Sequence, residues 1–277
     1  MNKIGFMQGR LSPIVNNKIQ AFPVETWDSE FSIANKIGIK FMEWTLDHDK
    51  IIDNPLMNSE GRVKIRKLSK TNNIKINSLT GDCFMQEPFW KKSNFDSSYL
   101  KDIFKNVCLA CNDIGIELVV IPIVDNGSIS NLKERNSLIN FLMENLTFFE
   151  KLSLKILFES DLKPLELKEF INIFPESVFG INYDTGNSAS LGFNPKEEFD
   201  CYGERILNVH IKDRKYKGSS VPLGLGAVNF KLIFSLLRQH NYQGNLILQT
   251  ARSKDNNHAK ELINSIEKIN CFREVNL

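Results

Sequence analysis

The sequence predicts an α/β chain folded as a closed (β/α)8 barrel, a TIM barrel, with residues 1–277 forming a single domain. Three observations lead there. Eight apolar or β-branched runs recur, at residues 4–7, 40–44, 74–79, 117–121, 155–158, 178–183, 206–209 and 245–248. Helical patterns lie between them. No Pro/Gly/Ser linker or low-complexity tract interrupts the series, which favours a closed barrel over an open doubly wound sheet. A chain of 277 residues, 42% hydrophobic, can bury the core of a fold that commonly needs about 250 residues.

Taken in order, the first run leads into Met7-Gln8-Gly9-Arg10 and not into G-x-G-x-x-G, so no dinucleotide site is expected. The second follows Gly38 and the fourth follows Gly115, each glycine placed to end a helix before an apolar strand; Gly244 stands likewise before the eighth. The third run leads to Leu79-Thr80-Gly81-Asp82. Leu100, Phe104, Val107, Cys111 and Ile114 form a helical stripe before the fourth run, and Leu138, Leu142, Phe149 and Leu152 another before the fifth. Ala259, Leu262, Ile263, Ile266 and Ile269 mark a closing helix. The strand runs do not alternate cleanly, as expected for parallel strands covered on both faces.

Bulk charge narrows the function. Lys and Arg total 35 against 33 acidic residues, a net +2, so neither a nucleic-acid nor a membrane surface is expected. Arg62, Lys64, Arg66 and Lys67 read as the solvated face of a helix. Five cysteines make no disulfide framework, and Cys108-x-x-Cys111 falls on an apolar stripe, which marks buried thiols. With no signal-like leader and no apolar run of membrane length, the expected location is cytoplasmic.

The chemistry is carried by the last four strand runs. Each ends in a residue able to hold a divalent metal: Glu159, Asp184, His210 and Gln249, at intervals of 25, 26 and 39 residues. Any one alone has an ordinary structural use, such as a cap, an Asx-turn or a rim histidine. Four at equivalent places in successive units predict one metal site on the barrel rim. Gln249 differs from the others, since an amide oxygen can bind a metal but cannot take a proton.

The motifs Met7-Gln8-Gly9-Arg10-Leu11-Ser12-Pro13, Gln20-Ala21-Phe22-Pro23, Trp27, Glu30-Phe31 and Phe41-Met42-Glu43-Trp44 resemble the opening of the sugar phosphate isomerase/epimerase family, the xylose isomerase-like barrels. Asp184-Thr185-Gly186-Asn187, His210-Ile211-Lys212-Asp213-Arg214 and the segment 221–230 resemble its later motifs. The resemblance implies a metal-dependent enzyme acting beside a carbonyl, with one divalent ion (Mn, Mg, Co or Zn) and a small carbohydrate substrate. Its usual ligands are Glu, Asp, His and Glu. Glu159, Asp184 and His210 match, and Gln249 replaces the last.

In such a site a keto-sugar chelates the metal, which stabilises the enediolate formed when the neighbouring C–H loses its proton. Glu159 is the expected base, while Asp184 and His210 are chiefly ligands, with His210's second nitrogen held by an unnamed acceptor. Gln249 removes the second base used by paired-glutamate epimerases. Lys212 or Asp213 is the expected further acid or base, with Glu43 behind them. Arg10 and Arg252 are expected to clamp an anionic group, and Asp82, Asn187, Glu43 and Gly224, with Gly226 beside it, to line the substrate site. Phe84, Phe89 and Trp90 are read as an exposed aromatic loop that covers the rim or joins subunits of a homo-oligomer. The expected activity is isomerisation or epimerisation of a sugar, keto-sugar or sugar phosphate. A keto-sugar or keto-cyclitol dehydratase and a non-catalytic carbohydrate-binding barrel are the alternatives. A DNA-repair endonuclease is disfavoured because only His48, His210, His240 and His258 are present.

Overall fold

The structure, a computed structural model, describes residues 3–15, 18–253 and 255–274. Strands β1 (Lys3–Met7), β2 (Phe41–Thr45), β3 (Lys75–Thr80), β4 (Leu118–Ile123), β5 (Lys155–Ser160), β6 (Phe179–Asp184) and β7 (Ile206–Ile211) follow one another around a parallel barrel, which β10 (Asn245–Leu248) closes against β1. Between them, β8 (Asp213–Arg214) and β9 (Ser220–Val221) form a short antiparallel hairpin after β7. The hairpin escaped the sequence reading because two residues per strand leave no periodicity to read. The eight barrel strands fall where the apolar runs predict them, and β5, β6 and β7 extend two, one and two residues past the ends of their runs.

Residue type explains the helices. The helix Asn94–Ile114 buries Phe104, Val107, Cys108 and Cys111 completely, and Gly115 ends it at φ 83°, where a side chain would be strained. The last junction departs from expectation. The helix Phe230–Gln239 is closed by Asn241 at φ 50°, and Gly244 serves another purpose: a Cβ there would lie 2.5 Å from the Leu207 carbonyl oxygen. Asparagine tolerates the left-handed conformation well enough to do the work assigned to glycine.

The aromatic loop also differs. Phe84, Phe89 and Trp90 are buried, not exposed. Phe89 packs edge-on against Phe141 at 4.6 Å, Phe84 lies 4.7 Å from Phe104, and Trp90 Nε1 donates to the Gly127 carbonyl. These rings join the helix layer to the barrel, each contributing on the order of 2 kcal/mol of burial, and neither cover the rim nor form an exposed contact. All five cysteines are free, and Cys108 and Cys111 are buried as expected. Among the described residues no helix is long and apolar enough to cross a membrane.

Candidate metal centre

The carboxyl ends of β5, β6 and β7 bring Glu159, Asp184 and His210 together. Asp184 pairs with His210 in the β6–β7 register, and Glu159 with Pro122 on β4. One ligand atom from each of the three lies within 4.8 Å of the others, and all three residues are buried. The sequence places them there because β-strands alternate sides: the apolar residues between them face the helix layer, while every second residue faces the barrel lumen.

The same alternation carries Asn182 and Asn208, two residues before Asp184 and His210, onto the lumen side. There they form a ladder that sequence reading missed. Asn208 Nδ2 donates to Glu43 Oε2 at 2.9 Å and to Asn182 Oδ1 at 2.8 Å, and Asn182 Nδ2 donates to Glu159 Oε2 at 2.9 Å. Glu43 itself, expected as a rim residue, is fully buried below the site, where its Oε1 lies 2.6 Å from His210 Nε2. It is therefore the acceptor for the imidazole's second nitrogen. Nδ1 faces Glu159 Oε2 at 3.0 Å. Burial alone would lower the His210 pKa, but the Glu43 and Glu159 carboxylates on either side outweigh it and raise it to about 10. Burial pushes Glu159 up, and His210 more than reverses this, holding its carboxyl below the usual range. Asp184 is raised by burial, with Lys212 opposing.

His210 Nδ1 and Asp184 Oδ2 are buried polar atoms that make ion-pair contacts, to Glu159 and Lys212, but no hydrogen bond of proper geometry. With a Glu159 oxygen beside them, they offer one nitrogen and two carboxylate oxygens, a donor set suited to a borderline divalent cation. The residues present fit such an ion.

The remaining expected residues divide. Lys212 Nζ bridges Asp184 Oδ2 at 2.7 Å and Gln249 Oε1 at 2.9 Å, the former as an ion pair outside hydrogen-bond geometry. Gln249, expected as the fourth ligand, thus has its oxygen on the lysine. Asn187 Nδ2 donates to Glu159 Oε1 at 2.7 Å, and its backbone N–H caps onto Asp184 Oδ1 at 2.8 Å. Arg10, Asp82, Glu159, Asn187, Lys212 and Gln249 line one cavity of about 260 Å³, together with Arg214, which was not singled out from sequence. Asp82 is pushed up to about 8 by burial and by the nearby Asp47 and Glu159 carboxylates.

Asp213 is committed elsewhere. Its Oδ2 accepts the backbone N–H of Gly224 at 2.8 Å and Gly226 at 2.9 Å, and its Oδ1 that of Val228 at 3.2 Å. A Cβ on Gly226 would lie 2.1 Å from Asp213 Oδ1, so the glycine is required by this approach. Asp213 thus holds a loop and is not free to move a proton, and the Gly224 N–H is equally spent. Asp213→Ala should leave three donors without an acceptor, lower stability by about 2 kcal/mol, and expose the 224–228 loop to limited proteolysis while metal content stays unchanged.

Arg10 and Arg252, alike in sequence, differ in structure. Arg252 donates its Nη1 to the Gly9 carbonyl and its Nη2 to the Ser12 carbonyl, away from the cavity that Arg10 lines. The same turn is held from its other side by Glu30, which accepts the Gly9 N–H at 2.9 Å and the Leu11 N–H at 2.8 Å. Burial raises Glu30 from an ordinary 4.5 to about 7. The folded state therefore binds this proton more tightly than the unfolded chain. Its contribution is complete below pH 4.5 and is lost as pH rises to about 7. Denaturant titrations at pH 4.5 and 7.5 should show wild type losing about 3 kcal/mol more than Glu30→Gln over that interval.

Comparison with known proteins places this geometry. Residues 31–269 match the model of a family described as xylose isomerase-like TIM barrel. The chain is 21% identical to an L-ribulose-5-phosphate 3-epimerase, UlaE, of Escherichia coli over 238 residues, spanning 81% of this chain and 82% of that protein. It is 28% identical to an inosose dehydratase of Clostridium botulinum over 102 residues, or 30% of this chain and 34% of that one. Among solved structures, the IOLI protein with a bound zinc atom superposes with a TM-score of 0.73 at 18% identity, over 98% of each chain. With its barrel, its rim cluster and a family match that spans most of its length, the chain belongs to the xylose isomerase-like TIM barrel family and is an enzyme.

Proposed function

We propose that the protein is a divalent-metal-dependent isomerase or epimerase of a sugar, keto-sugar or sugar phosphate, with Glu159 moving the proton beside the carbonyl. The observation that carries this is the convergence of Glu159, Asp184 and His210, of which Glu159 also lines the rim cavity. These three side chains would hold the ion, which when bound supplies Lewis-acid polarisation of a substrate carbonyl. Glu159 lines the cavity with both oxygens oriented, one by Asn187 and one by Asn182, so its carboxylate reaches a substrate C–H in a fixed attitude. Glu43 keeps His210 from rotating. Lys212, 9% exposed and lining the cavity, offers an ammonium to a substrate oxygen that gains negative charge.

A second reading has its own observation. The Lys212 ammonium lies on Gln249, so this side of the cavity carries an acid where two glutamates would supply a second base. One carboxylate base and one ammonium acid suit removal of a proton and departure of a β-hydroxyl as water, the chemistry of a keto-sugar or keto-cyclitol dehydratase. The likeness to inosose dehydratase over part of the chain supports it. Elemental analysis of wild type beside Glu159→Ala tests the shared basis: near one equivalent of metal in wild type and little in the variant is expected. Incubation of the loaded enzyme with ketoses in D2O then separates the readings, since isomerases and epimerases label product without losing water. Wild type that retains no metal after exposure to Mn²⁺, Co²⁺ or Zn²⁺ would overturn both.

A further inference from the structure

We infer that Arg10 receives an anionic group of the substrate, a carboxylate or a phosphate, at the side of the cavity opposite Glu159; this deepens the reading above and rests on the same cavity. Arg10 follows β1, Glu159 ends β5, and four strand steps separate β1 from β5 in either direction around the ring. Both side chains line the same cavity of about 260 Å³. A ligand that reaches both would carry its reacting carbon at one end and its charge at the other.

The Arg10 guanidinium is built into this wall and left unsatisfied. It is 3% exposed, yet it makes a single hydrogen bond among the described residues, from Nη1 to the Ile19 carbonyl at 2.8 Å. Its Nε has no partner, which is equally true of Arg205 and Arg252, but those two make at least two hydrogen bonds each, and no carboxylate among the described residues lies within ion-pair distance of Arg10. A guanidinium carries five N–H donors, and an unpaired buried charge is costly. Arg205 shows what a structural arginine does in this protein: its Nη2 donates to the carbonyls of Phe174 and Phe179, and its Nη1 lies 3.9 Å from Glu176. Asp82 shares the cavity and, with Glu30, favours the Arg10 charge from a distance, but neither carboxylate forms an ion pair or hydrogen bond with it. Burial holds Arg10 itself at about 9, still cationic at neutral pH.

The turn that presents Arg10 is fixed in advance. Glu30 grips the N–H groups on both sides of it, Arg252 grips the carbonyls of Gly9 and Ser12, and Gly9 at φ 92° passes close under Ala21. A clamp of this kind leaves little orientation entropy to lose when an anion docks. Arg252, expected as a second anion contact, is thus a positioning residue for the first. Planar pairing with a guanidinium suits carboxylate and phosphate alike.

The test uses three compounds on one six-carbon polyhydroxy skeleton: uncharged glucitol, gluconate with a carboxylate at C1, and glucitol 6-phosphate with a phosphate at C6. Their binding to metal-loaded wild type, Arg10→Gln and Arg10→Lys is measured by calorimetry, with metal per chain determined on the same samples. Wild type should bind at least one of the anions about ten-fold or more tightly than glucitol, and a preference for one anion names the source. Arg10→Gln should lose that preference at unchanged metal content. Arg10→Lys, the fallback if the glutamine variant does not fold, should keep only part of it. Equal binding of all three compounds, binding of none, or an undiminished preference in Arg10→Gln or Arg10→Lys would overturn the inference. An Arg10-dependent preference in protein that takes up no metal would keep the anion subsite and reject the proposed reaction, so the two failures are distinct.

Discussion

Replacing Glu159 with glutamine should slow exchange of the substrate's carbon-bound hydrogen with solvent by about a thousand-fold, within the range expected for losing a positioned general base. The substitution is informative because glutamine keeps an oxygen that can face a cation and an amide that cannot accept the proton. Metal content should therefore fall only in part, whereas Glu159→Ala should lose both metal and exchange. The measurement is deuterium incorporation from D2O into whichever ketose wild type labels, with elemental analysis on the same preparation. A glutamine variant that exchanges at the wild-type rate would remove Glu159 from the role of base and leave it only a ligand. One further change accompanies the substitution: the Asn182 and Asn187 amides, which now donate to a carboxylate, would donate to a neutral group. Their weaker hold should add to the loss.

The second large effect is expected at Glu43, which is not among the residues lining the site cavity. Its carboxylate is fully buried and joins His210 Nε2 to Asn208. Glu43→Ala should destabilise the fold by about 3–5 kcal/mol, the usual result of removing one member of a buried charged pair. Glu43→Gln preserves volume and one acceptor oxygen, so the chain should fold while metal affinity drops about 10- to 100-fold, as for other groups that orient a ligand imidazole. Chemical denaturation checks the first and metal titration the second. If Glu43→Gln bound metal as wild type does, the carboxylate would be a packing residue and not an orienting one.

These two residues also mark how far the site was legible. Glu159, Asp184 and His210 could be read because each ends an apolar run, and a parallel barrel sends the ends of its runs to one rim. Asn182 and Asn208 left a signal that was not used: each is a polar residue two positions before a ligand in an otherwise apolar strand. Glu43 left none. Its partner is 167 residues away, and the β2–β3 pairing shifts register between Met42 and Glu43, a local irregularity that no hydropathy pattern announces. Asp213 misled for a related reason. It follows His210 closely enough to suggest chemistry, but its partners are backbone groups of an irregular loop 11–15 residues later. Arg10 and Arg252 could not be told apart because the difference lies in which carbonyls each guanidinium meets, a matter of tertiary geometry alone.

The asparagine ladder has a consequence for the traffic of protons. Glu43 and Glu159 are joined twice, once through the His210 ring and once through Asn208 and Asn182. An amide neither gains nor loses a proton at ordinary pH, so the second connection transmits alignment but acts as an insulator. Imidazole alone, of these linking groups, can take a proton on one nitrogen and release it from the other. In the metal-free protein a proton can pass along these links only through His210, and an ion held on its Nδ1 would close that route while the amides keep both carboxylates in place.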